Sequence, residues 1–215
     1  MEIDLHSDLS FHNSFRYPLQ TRLARKELVW GALLVLVPVI GWLLNMGHRI
    51  EMVHNMQQGR EAWPAWHNYA RLLKSGTVTF LGMAYYYAPG FLVAYLAVSL
   101  RKPILYALAA PLLIAATIAI PGYMTHYCHE YDAREIFNPL RALRRVLEGG
   151  SAYWKAWPIA LAALCLSFLG LLLVGVGFLF TSAWFWQVAG YSFALVFSHR
   201  FGLVEKGARA ESVGP

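Results

Sequence analysis

The chain has 215 residues, 58% of them hydrophobic and 14% charged, with a formal net charge of +6 and a mean hydropathy of +0.43. A water-soluble domain carries about a quarter charged residues, so the composition excludes an ordinary soluble globule and points to a bilayer. The surplus of Lys and Arg does not point to nucleic acid, because it sits beside apolar stretches where anionic lipid headgroups are the nearer partner.

Every Asp, Glu, Lys and Arg falls in one of five windows: residues 1–27, 45–76, 101–102, 126–155 and 199–215. The intervening windows, 28–44, 77–100, 103–125 and 156–198, carry no formal charge. A helix needs roughly 20 apolar residues to cross a bilayer. The first apolar window, 28–44, follows Arg22, Arg25 and Lys26 with no small-residue cleavage site near its end, so it does not read as a cleaved signal. Windows 77–100 and 103–125 each fit one spanning helix. Window 156–198 is too long for one helix and fits two, with a turn expected near Gly175–Thr181. The expected fold is therefore all-α: a polytopic helical membrane protein with four to five crossing helices in one integral domain, 1–202. A short polar tail, 203–215, is expected to be mobile.

Sidedness follows from the cations. If residues 28–47 enter the membrane and return, kinked near Pro38 and Gly41, four crossings remain. All but two of the 18 Lys and Arg, Arg101 and Lys102, then share the cytoplasmic face, as cytoplasmic loops prefer. Five crossings remain the alternative, with either a poorer cation balance or the cluster Arg22, Arg25 and Lys26 translocated. Re-entrant backbone must be covered by protein, so this segment should pack against the other helices.

Three stretches resemble one another: "RYPLQTRLARKELVWG", "REAWPAWHNYARLLKSG" and "REIFNPLRALRRVLEGG". In each, an aromatic or Asn precedes a proline, and leucines then alternate with cations. In the second, Trp66, Tyr69 and Leu73 oppose His67, Arg71 and Lys74; in the third, Leu140, Leu143 and Leu147 oppose Arg141, Arg144 and Arg145. That spacing predicts amphipathic helices lying at the headgroups. Proline is expected at the first helical position, and Gly76 and Gly149-Gly150 as the stops. The chain thus reads as three modules, 15–47, 60–125 and 134–198, each a basic interfacial helix followed by an apolar hairpin. The expected anchors to anionic headgroups are Arg22, Arg25, Lys26, Trp63, Trp66, Tyr69, Arg71, Lys74, Arg141, Arg144 and Arg145.

The order "WGALL…GHRIEMVHNMQQGREAWPAWHNYARLLKSG", an apolar region, then "REIFNPLRALRRVLEGGSAYW…HRFG", resembles a family of prokaryotic membrane proteins catalogued as domain-of-unknown-function family 4013. The resemblance spans residues 28–202. That family carries a Leu-Pro-Glu-Trp-like motif, which here reads Ala62-Trp63-Pro64-Ala65-Trp66 and lacks the acidic position. The resemblance implies a multi-pass helical protein of a prokaryotic cytoplasmic membrane and brings no catalytic residues; that most loops are cytoplasmic is the expectation from the cation count.

The densest polar cluster is "HYCHEYD", residues 126–132. His126, His129 and Glu130 are weak candidates for a metal, since imidazole and carboxylate suit zinc. No HExxH or CxxC pattern accompanies them, so a polar helix cap is the expected role. Cys128 and Cys165 are expected as free thiols. No nucleophile with a base, haem pair or phosphate loop is visible, and no cofactor is expected. Tyr85, Tyr86, Tyr87 and Gln187 are the polar side chains that could line a cleft for an apolar ligand or a partner. At least one tyrosine should find a hydrogen bond inside the protein. The expectation is a non-enzymatic membrane subunit packing against other membrane proteins or itself; the alternative is a permease for a lipid-like or small uncharged solute.

Overall fold

The computed structural model describes residues 3–173 and 175–204; the expected tail, from residue 205 on, lies outside them. Among the described residues all regular structure is helical: α1 (Phe11–Arg16), α2 (Arg22–Leu34), α3 (Ile40–Gln57), α4 (Tyr69–Ser99), α5 (Ile104–Glu130), α6 (Pro139–Leu169) and α7 (Val176–Phe201), with three short 3-10 turns. Among them, α4, α5 and α6 with its terminal 3-10 turn are long and apolar enough to cross a membrane. α7 has 26 residues, but Thr181, Ser182, Gln187 and Ser192 dilute its apolar run, and it does not join those three.

The 28–44 window is not one helix. α2 stops at Leu34, and α3 starts at Ile40 after Pro38 and Val39, whose φ of 64° lies in the left-handed region. The break falls where Pro38 and Gly41 predicted a kink. A Cβ on Gly41 would meet the Leu34 carbonyl oxygen, so only glycine lets the returning helix sit this close to the outgoing one. Window 156–198 also divides, but at 170–175, slightly before the expected turn. Gly175, at φ 76°, starts α7.

Of the three basic stretches, the third forms as predicted. Pro139 occupies the first helical position behind the Asn138 cap, and Gly150, at φ 57° and ψ −146°, ends the amphipathic part before the apolar part begins. The second stretch differs. Trp63-Pro64 is a cis peptide in the loop before α4, and Gly76 lies inside a helix that runs unbroken to Ser99. What recurs is the cap rather than the proline. Asn68 Oδ1 accepts from the Arg71 N–H at 3.1 Å and Asn138 Oδ1 from the Arg141 N–H at 3.0 Å, with nearly the same backbone angles at both Asn residues. An Asn cap satisfies an orphan N–H of the first turn, which explains why both helices start there. In the first stretch Tyr17-Pro18 forms a 3-10 turn, and Thr21 caps α2.

α3 is the pivot of the bundle, packing on α2, α4, α5 and α7. Against α4 the approach is backbone to backbone: a Cβ on Gly47 would meet the Leu72 carbonyl oxygen, and one on Gly76 that of Leu43. The polar segments are tied to each other. His54 Nδ1 bonds the Cys128 carbonyl at 2.8 Å, Gln57 Nε2 donates to Ser198 Oγ at 3.0 Å, and Arg200 Nε donates to the Glu148 carbonyl at 2.8 Å. The N-terminal segment is strapped over α7: the Tyr191 hydroxyl donates to the Asp4 carbonyl at 3.0 Å, Ser192 Oγ to Ser14 Oγ at 3.0 Å, and Tyr17 stacks on Tyr191.

Candidate functional site

The run "GHRIEMVH", residues 47–54, places four titratable side chains on two turns of α3, and three of them, His48, Arg49 and Glu51, are buried. His48 points at α2, where its Nε2 lies 2.9 Å from the buried Glu27 carboxylate. Both Glu27 oxygens also accept from the Ala65 N–H at 3.0 Å, and Trp66 Nε1 donates to the Glu27 carbonyl at 3.1 Å. The His48 ring stacks on Trp66 at 4.1 Å and on Trp63 at 5.6 Å. Desolvation outweighs the Glu27 contact and pushes the His48 pKa below its usual value, so the ring is neutral and donates from Nε2 to the carboxylate. One buried carboxylate thereby pins the loop before α4 to both α2 and α3.

Glu51 makes a second hub one helical turn further along. It pairs with the Arg71 guanidinium, lies 3.3 Å from His67 Nε2, and accepts from the Tyr131 hydroxyl at 2.6 Å. Burial and the adjoining carboxylate push the Tyr131 phenol's pKa upward; burial pushes that of His54, which packs on Tyr131, downward. A buried carboxylate with a cation and two further partners is compensated.

Arg49 is not. It points from α3 toward α7, is 7% exposed, and has no hydrogen bond or ion pair among the described residues. Its guanidinium carbon lies 4.8 Å over the Trp186 ring. A Cβ on Gly190 would meet the Arg49 side chain at 2.9 Å, so a glycine in α7 makes room for it. Burial lowers its pKa, yet an arginine starts high enough to keep its proton at neutral pH. An unpaired buried charge costs several kcal/mol, of which a desolvated aromatic face returns about 2 kcal/mol or somewhat more.

Two cavities share Arg49 and Trp186 in their walls. One, of about 320 Å³, lies between α3 and α7 and is bounded by Trp42, Asn45, Ser182 and Gln187. The other, of about 240 Å³, is almost wholly apolar and is bounded by Ile50, Met83, Ile120, Trp157, Leu161 and Phe185. Neither wall contains an Asp or Glu among the described residues.

The side chains predicted from sequence are scattered around this centre. Arg22, Arg25, Lys26, Tyr69, Lys74, Arg141 and Arg144 are exposed. Trp63 is 3% exposed and packs on Tyr17 and His48; Trp66 is half-buried on His48. Arg71 is held by Glu51, Arg141 and Arg145 share Glu135 at 2.6 and 2.5 Å, and Arg144 pairs with Glu148 at 2.7 Å. Tyr85 lies outward against Phe137, while Tyr86 is buried and stacked on Tyr123. Only Tyr87 lines the apolar cavity, and its hydroxyl is 2.9 Å from Thr117 Oγ1. Gln187 lines the neighbouring one, with a buried Oε1 that has no partner among the described residues. The His126 ring packs edge-on against Phe201, and His129 reaches Glu130 at 3.7 Å. Among the described residues no three His, Cys, Asp or Glu side chains gather as a metal site would need.

Sequence reasoning passed over Glu27, His48, Arg49, Glu51 and Tyr131. For His48, Arg49 and Glu51 the one visible signal is the density of titratable residues in "GHRIEMVH" directly after an apolar run, and Tyr131 lies in the polar cluster "HYCHEYD". No family model, curated protein or solved structure matches the chain.

Proposed function

We propose that this helical membrane protein lodges a lipid-like molecule between its helices, in the cleft framed by α3, α4, α5, α6 and α7. The observation that carries the reading is the apolar cavity beside Arg49. Its aromatic and aliphatic walls suit a hydrocarbon chain, and Leu161, which is 50% exposed, stands at its rim. A carrier for a lipid-like solute therefore fits this geometry better than a bare packing subunit. Tyr87 and Gln187 serve it as wall residues, and Tyr85 and Tyr86 as packing.

The exposed cations Arg22, Arg25, Lys26, Lys74, Arg141 and Arg144 anchor the bundle to anionic headgroups in this reading. The row Leu140, Leu143 and Leu147, of which Leu140 and Leu147 are about 80% exposed, lies apolar side down in the bilayer boundary. That same row supports the second reading, a subunit that covers the face with another membrane protein.

The test uses the purified full chain in mild detergent and a conjugated-polyene fatty alcohol whose emission rises on enclosure. Saturable binding of one molecule per chain, lost in Leu161→Trp with the thermal melt unchanged, supports the reading. Purely linear uptake, indistinguishable from that of empty micelles, overturns it. A stoichiometric second chain in the purified particle favours the subunit reading.

A further inference from the structure

Within the proposed cleft, we infer that Arg49 is the head-recognition residue of a site for an anionic amphiphile, one carrying a carboxylate or phosphate head on a hydrocarbon tail. This rests on the lipid-like reading above and adds the charge of the occupant.

Three observations converge. The cation is more than nine-tenths buried and has no anion among the described residues, whereas Glu27 and Glu51, the buried carboxylates nearby on α2 and α3, are each fully engaged elsewhere. The guanidinium stands in the wall common to both cavities, so a ligand in either one meets it. Donors that suit an anion's oxygens, the Ser182 hydroxyl and the side-chain N–H of Gln187, belong to residues lining the first cavity, while the second is hydrocarbon and aromatic. A guanidinium offers five N–H donors in a planar fork that fits two oxygens of one head. In a water-poor cleft that pairing replaces the hydration the arginine has lost.

An uncharged ligand would leave the charge unpaired, and an inorganic anion would leave the apolar wall empty. The site is therefore read as two-part: the head at Arg49 and the tail along Met83, Ile120, Trp157 and Phe185.

Binding of the polyene fatty acid and of the matched polyene alcohol is measured on the full-length protein in neutral detergent. Short-chain phosphatidic acid and inorganic phosphate serve as competitors. The expected result is at least tenfold tighter binding of the acid than of the alcohol. Arg49→Met is expected to bind both at the alcohol's affinity and, with no ligand present, to melt no lower than the wild type, since an apolar isostere removes an uncompensated charge. Displacement by phosphatidic acid identifies a lipid phosphate as a competent head; failure of that lipid alone to compete restricts the head to a carboxylate. Displacement by inorganic phosphate overturns the two-part site. Equal wild-type affinity for acid and alcohol overturns the inference while leaving the lipid-like reading standing, and binding of neither overturns both. The wild-type comparison decides alone if Arg49→Met does not fold.

Discussion

The Glu27 carboxylate and the His48 imidazole meet at 2.9 Å inside the bundle, roofed by Trp66 and Trp63. The pair joins α2 to α3, and the Ala65 N–H joins both to the loop that leads into α4. Three segments far apart in the chain converge on one side chain.

Acid should loosen this junction. Burial holds the pKa values of His48 and His54 below the usual 6.5, so below about that pH the unfolded chain takes up protons that the folded chain refuses. Their contribution to stability is complete above 6.5 and is lost as pH falls. The melting temperature in detergent should drop between about pH 7.5 and 5.5, and His48→Gln should flatten the slope. A melting temperature that rises on acidification contradicts the assignment of neutral, buried rings.

Glu51 should behave as a hub whose partners are worth different amounts. Tyr131→Phe removes one hydrogen bond to a buried carboxylate and should cost about 1.5–3 kcal/mol. Arg71→Met strips away the counter-charge and should cost about 3 kcal/mol, the low end for a buried pair, because the Arg71 side chain is 40% exposed. Glu51→Met combined with Arg71→Met should recover part of that loss. Unfolding curves of the four proteins complete a double-mutant cycle, and strict additivity would show that the two residues do not interact.

The α3–α4 contact depends on two glycines. With 1.9 Å between a Cβ at Gly47 and the Leu72 oxygen, and 1.8 Å between one at Gly76 and the Leu43 oxygen, alanine forces the helices apart. Gly47→Ala and Gly76→Ala should each cost about 1–3 kcal/mol or more, read as early unfolding in a thermal ramp. The exposed Gly150, whose Cβ would meet nothing within 4 Å, should give a smaller loss, from its left-handed φ alone. Losses no larger than about 0.5 kcal/mol at Gly47 and Gly76 would remove the close approach as a constraint.

Sidedness has a direct readout. In a Cys165→Ser background, single cysteines at Ser7, Arg60 and Arg134 should react with a membrane-impermeant maleimide from one face of a sealed vesicle, and one at Lys102 from the other. Cys128, 1% exposed, should stay silent. Reaction of Ser7→Cys and Arg134→Cys from opposite faces rejects the four-crossing arrangement.

The helical class, the break at Pro38, and α4 and α5 were legible because apolar length and proline act locally. The start of α6 was legible too, since Asn138-Pro139 is a self-contained cap. The start of α4 was misread: the eye aligned Pro64 with Pro139, whereas the physical equivalents are Asn68 and Asn138, whose side chains close the first turn. The centre of the site was hidden for a different reason. Charge in a sequence reads as solvent contact, and nothing in "GHRIEMVH" says that Glu51 finds Tyr131 or that Arg49 finds the Trp186 indole. Those facts depend on residues 80 and 137 positions away. Gln187 was legible as an isolated amide in an apolar helix, but its neighbour across the cavity was not.

The strap of residues 4–17 over α7 sets an order of events. Ser14 and Tyr17 are fully buried, and their covering partners Ser192 and Tyr191 lie 178 and 174 positions later. Synthesis runs from the N-terminal side, so the strap emerges well before the partners that cover it. The strap must therefore wait while α2 to α6 emerge, its Ser14 hydroxyl and Tyr17 ring lacking their α7 contacts, and it can latch only once α7 is in place. The latch thus closes only after α7 has been made, and a chain halted before α7 leaves the strap open.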